Sequence, residues 1–493
     1  MTTYPKILLH SAAYSIPIVL GKLGSFFMLP LYTRYLSPAN YGVLELLDLT
    51  SFVLSSLVGV KLVDALFCYY SEAPTAEERH RIVTTAFVTA CLLGAAGAII
   101  GLSSSNLLSH AVFQTGQYSR CYQLVFANFF LIFPQEIGLG FLRVTNRSGL
   151  LVFLQVLRLA VSILLNILFL VVFSMGIYSL LWSSLCGSVV LVLVLLITAI
   201  PSGRFQFSGA ISWKLVRYAI PAGISGVGML VIHYGDRFFL QRAATLTDVG
   251  LYSVAYKIGM LVSYVQLPFA TYWNAQMYAL VRTPDGQQMY IRVCTYFTLV
   301  LTAAAVLLSV FSRPLLALLT TSAYQGTAVF IPAIAAVYVI RGIGDQFRNV
   351  FFLEKRTDLD ARVSTAGVIV CLLGYVLLIP RYKAWGAIAA TAAAFVVMAI
   401  YSFWQAQRTR HFKYEMTRMF KIGLSAGVTL LIPEVLPAGG IARSLAIGAG
   451  SFVLFGLLLL LLGFLDEDEI GRLQSLRHRI GERLGMISEP VRF

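Results

Sequence analysis

From residue 11 to residue 465, apolar runs of about twenty residues alternate with short breaks rich in charge, glycine or proline. A helix needs about 20 apolar residues to cross a hydrocarbon core of about 30 Å, so each run predicts a membrane-spanning helix. Fourteen fit: 11–33, 41–62, 83–102, 119–140, 150–173, 177–200, 214–234, 250–272, 291–312, 326–345, 363–380, 385–405, 419–437 and 442–465. Composition points the same way: 58% hydrophobic and 12% charged residues, with mean hydropathy +0.80, leave too little polar surface to coat a soluble globule of 493 residues. The expected fold class is an all-α polytopic membrane protein. The first run is long, lacks an A-x-A exit and leads straight into a second span, so no cleavable signal peptide is expected.

Charge orients the chain. With the N-terminus inside, 24 of the 37 Lys and Arg fall on inside segments against 8 outside, which predicts cytoplasmic ends on both sides of the chain. The net charge of +15 is then explained by flanks that meet anionic lipid headgroups, and nucleic acid is not an expected partner. Six cysteines are scattered, mostly within spans, without a CxxC or a pairing pattern, and read as small core residues. Every predicted outer loop is short, the longest from Ser103 to Ser119, so the activity must lie within or between helices.

The chain repeats at a shift of about 204 to 208 residues. Ala13-Tyr14-Ser15-Ile16-Pro17 recurs as Arg217-Tyr218-Ala219-Ile220-Pro221, Tyr41-Gly42-Val43 as Val249-Gly250-Leu251, and Ile137-Gly138 as Ile343-Gly344. The short outer turns before spans 6 and 12, Ser174 to Ile177 and Arg381 to Ala384, keep the same register. Six spans per repeat is an even number, so both repeats insert with one orientation. The expected organisation is an N-terminal lobe over 1–205, a second lobe over 206–412 facing it across a central cavity, a helix pair over 413–465 and a cytoplasmic amphipathic tail over 466–493. That tail, acidic from Asp466 to Glu469 and then apolar at helical spacing, reads as an anchor on the membrane face or as a docking surface for another assembly protein.

The first outer loop, Tyr32-Thr33-Arg34-Tyr35-Leu36-Ser37-Pro38-Ala39-Asn40-Tyr41-Gly42, resembles the entry signature of the bacterial polysaccharide export and O-antigen flippase family. The second repeat supplies a companion, Asp236-Arg237-Phe238-Phe239-Leu240 followed by Val249-Gly250-Leu251-Tyr252-Ser253-Val254-Ala255-Tyr256-Lys257. The resemblance covers essentially the whole chain. It implies the fold of the multidrug/oligosaccharidyl-lipid/polysaccharide exporter superfamily, and a flippase that moves a lipid-linked oligosaccharide, carried on undecaprenyl pyrophosphate, to the outer leaflet of the bacterial inner membrane. It implies no cofactor, and lipids and the lipid-linked substrate as partners; a monomer is the default for this architecture.

Site residues rest on the physics of charge within spans, where an ionised group needs water, a partner or a ligand. Lys22 lies 11 residues from either end of its span, about 16 Å at the helical rise, beyond the reach of its side chain to the headgroups. With Lys257, Arg158 and Arg237 it forms a predicted cationic surface for the pyrophosphate or acidic sugars; pairing of Lys22 with an acid such as Asp48 is the structural alternative. Gln155, Arg158, Ser162 and Asn166 recur on one helix face, suited to cavity lining or to helix-helix hydrogen bonds. Glu45, Asp48 and His233 are candidates for proton or cation coupling. Lys61 with Asp64, and Arg341 with Asp345, read as structural ion pairs at spacings of three and four.

Enzyme motifs are missing. The sequence holds no Walker A segment, HExxH, GxSxG or CxxC metal pattern, so no catalytic residue or metal site is expected. An O-antigen polymerase or glycosyltransferase usually carries a large periplasmic loop, which this pattern lacks. A cation-coupled multidrug antiporter would favour an acidic cavity, whereas four of the deepest charges, Lys22, Lys61, Arg158 and Lys257, are cations.

Overall fold

The computed structural model describes residues 21, 24, 26–198, 206–281, 283–436, 440–466 and 469. Among them the ordered elements are all helical. In chain order these are α1 (Leu29–Tyr35), α2 (Pro38–Glu72), α3 (Ala76–Phe113), α4 (Ser119–Val144), α5 (Ser148–Ile167), α6 (Ile177–Thr198), α7 (Gly209–Tyr234), α8 (Asp236–Ala243) and α9 (Leu246–Gly259). They continue as α10 (Gln266–Leu280), α11 (Pro284–Val310), α12 (Ser312–Leu319), α13 (Phe330–Leu353), α14 (Thr357–Thr409), α15 (Met416–Val435) and α16 (Ile441–Leu461). Among the described residues, helix occupies most of each predicted span from the second to the last, and 8 described helices are long and apolar enough to cross a membrane. The protein is an all-α polytopic membrane protein. Lys22, on the first span, lies outside the described residues, as does the tail from residue 470 onward.

Local chemistry accounts for the breaks. Ser37 caps α2, its Oγ accepting from the Asn40 amide at 3.3 Å, while Pro38 occupies the first helical turn, where its missing N–H costs nothing. Ser174 and Gly176 before α6, and Lys383 within α14, all have positive φ. Lys383 divides α14 into two helices that fold back on each other: the Tyr375 hydroxyl lies 3.2 Å from that of Thr391 across the turn. This hairpin carries both predicted spans 363–380 and 385–405.

The loop expected from Ser103 to Ser119 is shorter than its sequence suggests. α3 runs on to Phe113, because Ser103 and Ser104 return their hydroxyls to the carbonyls of Ile99 and Ile100, each at 2.7 Å, and so satisfy themselves inside the helix. The helix ends where Gln114 turns left-handed, at φ 60.

The chain divides into two compact units. The first comprises Met1–Ile258, Leu316–Phe330 and Asp358–Tyr401. In it α3 and α4 form a close hairpin backed by a ladder of rings, Tyr122, Phe126, Phe129 and Phe133. The second comprises Gly259–Leu315, Ile331–Thr357 and Ser402–Phe493. Its core joins α11, α15 and α16 through Val306, Val310, Ile422, Phe455 and Leu459.

Candidate functional site

The first unit gathers most of the intramembrane charge. On α2, Tyr41, Glu45 and Asp48 follow helical steps of four and three and share one face. α9 brings Lys257 against that face. The ammonium pairs with Glu45, donates to the Tyr41 hydroxyl at 2.8 Å and lies 5.1 Å from the centre of the Tyr41 ring. Glu45 is 7% exposed, so its charge is matched inside the protein by Lys257. The helices meet this closely because glycines face each other one turn away: a Cβ on Gly42 would lie 3.0 Å from the Gly250 nitrogen and collide with the carbonyl of Leu246. Reciprocally, a Cβ on Gly250 would collide with the carbonyl of Pro38.

A second pair lies beside the first. Arg237, 2% exposed, holds Asp236 at 2.8 Å, donates to the His233 carbonyl at 3.1 Å and covers the Tyr256 ring at 4.1 Å. The Tyr252 hydroxyl donates to the other Asp236 oxygen. Arg237 therefore spends its charge within the protein. The His233 ring rests 5.7 Å from that of Phe395.

Asp48 differs from its neighbours. It is exposed, and among the described residues it has neither a hydrogen bond nor an ion pair, although the charges of Glu45 and Lys257 act on it. Tyr32, whose hydroxyl accepts from Asn166 Nδ2 at 2.8 Å, feels the charges of Lys257 and Asp48. Asn166 is 6% exposed, and its Oδ1 has no hydrogen-bond partner among the described residues.

Two α5 residues in the predicted polar row are accounted for. Asn166 joins Tyr32, and Ser162 packs where Gly187 of α6 leaves room. Arg158 is half-buried, feels the charge of Glu136 on α4, and forms no ion pair among the described residues. Lys61 Nζ lies 3.1 Å from Asp64. In the second unit Asp345 lies 3.7 Å from Arg341 and 3.6 Å from Arg348. Of the four deep cations that the sequence sets against an acidic cavity, Lys61 and Lys257 are thus neutralised by carboxylates.

Sequence reasoning missed Tyr32, Asp236 and Glu136 as members of these clusters. Glu136, an acid inside a predicted span, carried its own signal; the roles of Tyr32 and Asp236 depend on helices distant in sequence.

Residues 9–273 match the model of a family described as polysaccharide biosynthesis proteins. The match spans more than half of the chain. This protein belongs to the polysaccharide biosynthesis protein family. The matched region holds both ion pairs, Asp48 and Arg158. None of the curated proteins matches the sequence. Among solved structures, this family member resembles the lipid II flippase MurJ in an inward-closed conformation, at TM-score 0.71 and 14% identity, covering 91% of this chain and 98% of that one. An inward-facing MATE multidrug resistance transporter of the MOP superfamily follows, at TM-score 0.66 and 16% identity, with 82% and 99% covered. A MOP superfamily transporter from Pyrococcus furiosus gives TM-score 0.59 at 18% identity, with 83% and 96% covered. At such identities the likeness establishes a shared fold, that of polytopic transporters.

Proposed function

We propose that this protein is a flippase that carries an undecaprenyl-pyrophosphate-linked oligosaccharide, an O-antigen or other polysaccharide repeat unit, from the inner to the outer leaflet of a bacterial inner membrane by alternating access of two six-helix lobes. The family match over residues 9–273 carries the reading, and the fold shared with a lipid II flippase supports it. Transport needs no catalytic residue or cofactor. Both termini are assigned to the cytoplasm, on the Lys and Arg distribution.

The geometry ranks the predicted cationic surface. Lys257 and Arg237 are committed to Glu45 and Asp236. Arg158 retains charge to offer a pyrophosphate, and a guanidinium suits that anion through paired N–H donors. A Cβ on Gly24 of the first span would lie 3.3 Å from the side chain of Leu159, the residue after Arg158, and Lys22 is two residues from Gly24 in sequence. Lys22 and Arg158 are therefore assigned to the substrate's phosphates. The antiporter reading draws on one observation, the carboxylate of Asp48, which has no ion pair among the described residues and would suit a cationic drug.

Deletion separates the two. A strain lacking this protein and any redundant flippase should accumulate lipid-linked repeat units on the cytoplasmic side and lose surface polysaccharide, with drug sensitivity unchanged. Normal surface polysaccharide would defeat the flippase reading. Lys22→Ala and Arg158→Ala should each lower export roughly tenfold or more at normal expression, as expected for losing a charge-assisted hydrogen bond, whereas Lys22→Arg keeps most of it.

A further inference from the structure

We infer that residues 316–330 form a strap that holds the outer end of the transport path shut, and that Tyr41 ties release of the strap to the Glu45–Lys257 pair. The inference rests on the alternating access of the transport reading, whatever the substrate.

The second repeat departs from the first at this point. In the first, α3 continues unbroken to Phe113. In the second, α11 stops at Val310 and a separate short helix, α12, follows. Pro314 supplies the cause, since it has no N–H to offer the Val310 carbonyl four residues earlier. A shift of 204 to 208 maps Pro314 onto 106–110, a stretch without proline. Beyond the break the chain changes allegiance: Leu316–Phe330 belongs to the first compact unit, whereas Gly259–Leu315 and Ile331–Thr357 on either side belong to the second.

Two helix ends seat the strap by satisfying each other. A helix leaves carbonyls at its C-terminal end without donors of its own, and α1 is no exception. The Thr321 hydroxyl donates to the Thr33 carbonyl at 3.3 Å, and the Tyr324 hydroxyl donates to that of Leu36, just past α1, at 3.2 Å. In return the Thr33 hydroxyl reaches the carbonyl of Leu319, the last residue of α12, at 3.2 Å. That hydroxyl has one proton and a second acceptor, the Leu29 carbonyl of its own helix at 3.0 Å. It can therefore let go of the strap without being left unsatisfied. Tyr324 is fully buried, although Gln325 and Gly326 beside it are exposed. Connectors ordinarily run over the surface, so a tyrosine drawn inside marks a docked segment. Thr33 and Leu36 belong to the first predicted lobe and the strap to the second. The lobes cannot part at this end while these contacts hold.

Tyr324 also reaches the charge cluster. Its ring stands edge-on to that of Tyr41, with centroids 6.3 Å apart at 83°. The Tyr41 hydroxyl accepts from Lys257, whose ammonium pairs with Glu45. Lifting Tyr324 removes the ring that packs on Tyr41, and Tyr41 is one of the two groups that hold Lys257. The hydrogen bonds of the strap are neutral and individually modest, which suits a contact broken and remade in each cycle.

A disulfide tests the strap in the full-length protein in its membrane. Thr33→Cys/Thr321→Cys places two thiols where the structure has a hydrogen bond, and each single variant under the same oxidant controls for the six native cysteines. Oxidation of the double variant should abolish export in proportion to the crosslinked fraction, and reduction should restore it. Export at the wild-type rate by fully crosslinked protein would overturn the proposal, as would failure of the two thiols to join. A second readout needs no export: labelling of Ala328→Cys, at a position 8% exposed in the seated strap, by a membrane-impermeant maleimide from the outer side. Tyr324→Phe removes the bond to Leu36 and Tyr41→Phe the bond to Lys257; each should speed labelling roughly fivefold, the shift in population for losing about one hydrogen bond. Equal labelling in the parent and both variants would overturn the strap, and faster labelling with Tyr324→Phe alone would overturn the coupling through Tyr41. Faster labelling with both, in a protein that exports no glycan, would leave the strap standing and remove only the flippase reading.

Discussion

Gly42 and Gly250 pack face to face, each against the backbone of the other's helix and each one turn after the residue whose carbonyl opposes its partner: Leu246 for Gly42, Pro38 for Gly250. Both relations hold at a shift of 208 residues, the upper value of the repeat read from sequence. Equivalent positions of the two repeats therefore meet at a local two-fold crossing of α2 and α9, with Glu45 one turn beyond Gly42 and Lys257 two turns beyond Gly250.

Because the atoms opposing each missing Cβ are backbone carbonyls, they cannot swing aside as a flexible side chain would. Gly42→Ala and Gly250→Ala should each destabilise the purified protein by about 1–3 kcal/mol, the range for overpacking a close-packed contact. Once one substitution has spread the helices, the second meets a looser crossing, so the double variant should cost less than the sum. Additive effects on unfolding temperature would mean that the glycines act separately.

Removing one partner of the Glu45–Lys257 pair leaves a charge inside the membrane. Glu45→Gln and Lys257→Met should each destabilise by about 3 kcal/mol, the low end for a broken buried pair, because Lys257 keeps 34% of its side chain exposed. The combined Glu45→Gln/Lys257→Met variant, with no ion left, should be more stable than either single variant. Thermal unfolding in detergent checks the order; a double variant worse than both singles contradicts it.

A different cluster ties the chain after α16 to the start of α15. Arg418 pairs with Glu415 at 3.2 Å, Asp466 at 3.4 Å and Glu469 at 2.8 Å, and covers the Phe464 ring at 4.5 Å. Partial burial alone would raise the Glu469 carboxyl, but hydrogen bonds from Tyr296 and Arg418 outweigh it and hold the group below its ordinary range. A depressed carboxylate contributes stability that is present above its unfolded value, about 4.3 for Glu, and is lost as pH falls through the lower folded value. Protection from hydrogen exchange at Phe464 to Asp466, measured against the intrinsic rate at each pH, should therefore be high at neutral pH and fall below about pH 4. Arg418→Ala should give fast exchange already at pH 7; equal protection in that variant would show that the apolar contacts hold the segment alone.

Reporter fusions test the topology. Fusions after Pro74, Asp358 and Arg410 should report cytoplasm, and fusions at Gln114 and Thr245 periplasm. Placement at Gln114 follows from the extension of α3 to Phe113, which puts Ser104 inside the helix. A periplasmic signal after Arg410 would contradict both the Lys and Arg distribution and the repeat.

The all-helical, membrane-spanning pattern and the Ser37-Pro38 break were legible from the chain because their causes are local. Hydrocarbon thickness sets the length of an apolar run, and a capping hydroxyl followed by proline starts a helix whatever surrounds it. The repeat was legible too, since the Tyr41-Gly42 and Val249-Gly250 dipeptides carry it. The sequence equally showed that Lys22, Glu45, Asp48, Arg158 and Lys257 carry charge within predicted spans, with Arg237 just beyond the outer end of one. Which of those charges are spent and which remain available was decided by tertiary structure. Lys257 meets Glu45 across 212 positions of sequence, and Tyr32 meets Asn166 across 134. Helical spacing reveals which residues share a face but not which foreign face packs against it. A charge loses its freedom only when the opposing helix brings a partner within a few ångströms, as α9 does for Glu45 and no described helix does for Asp48.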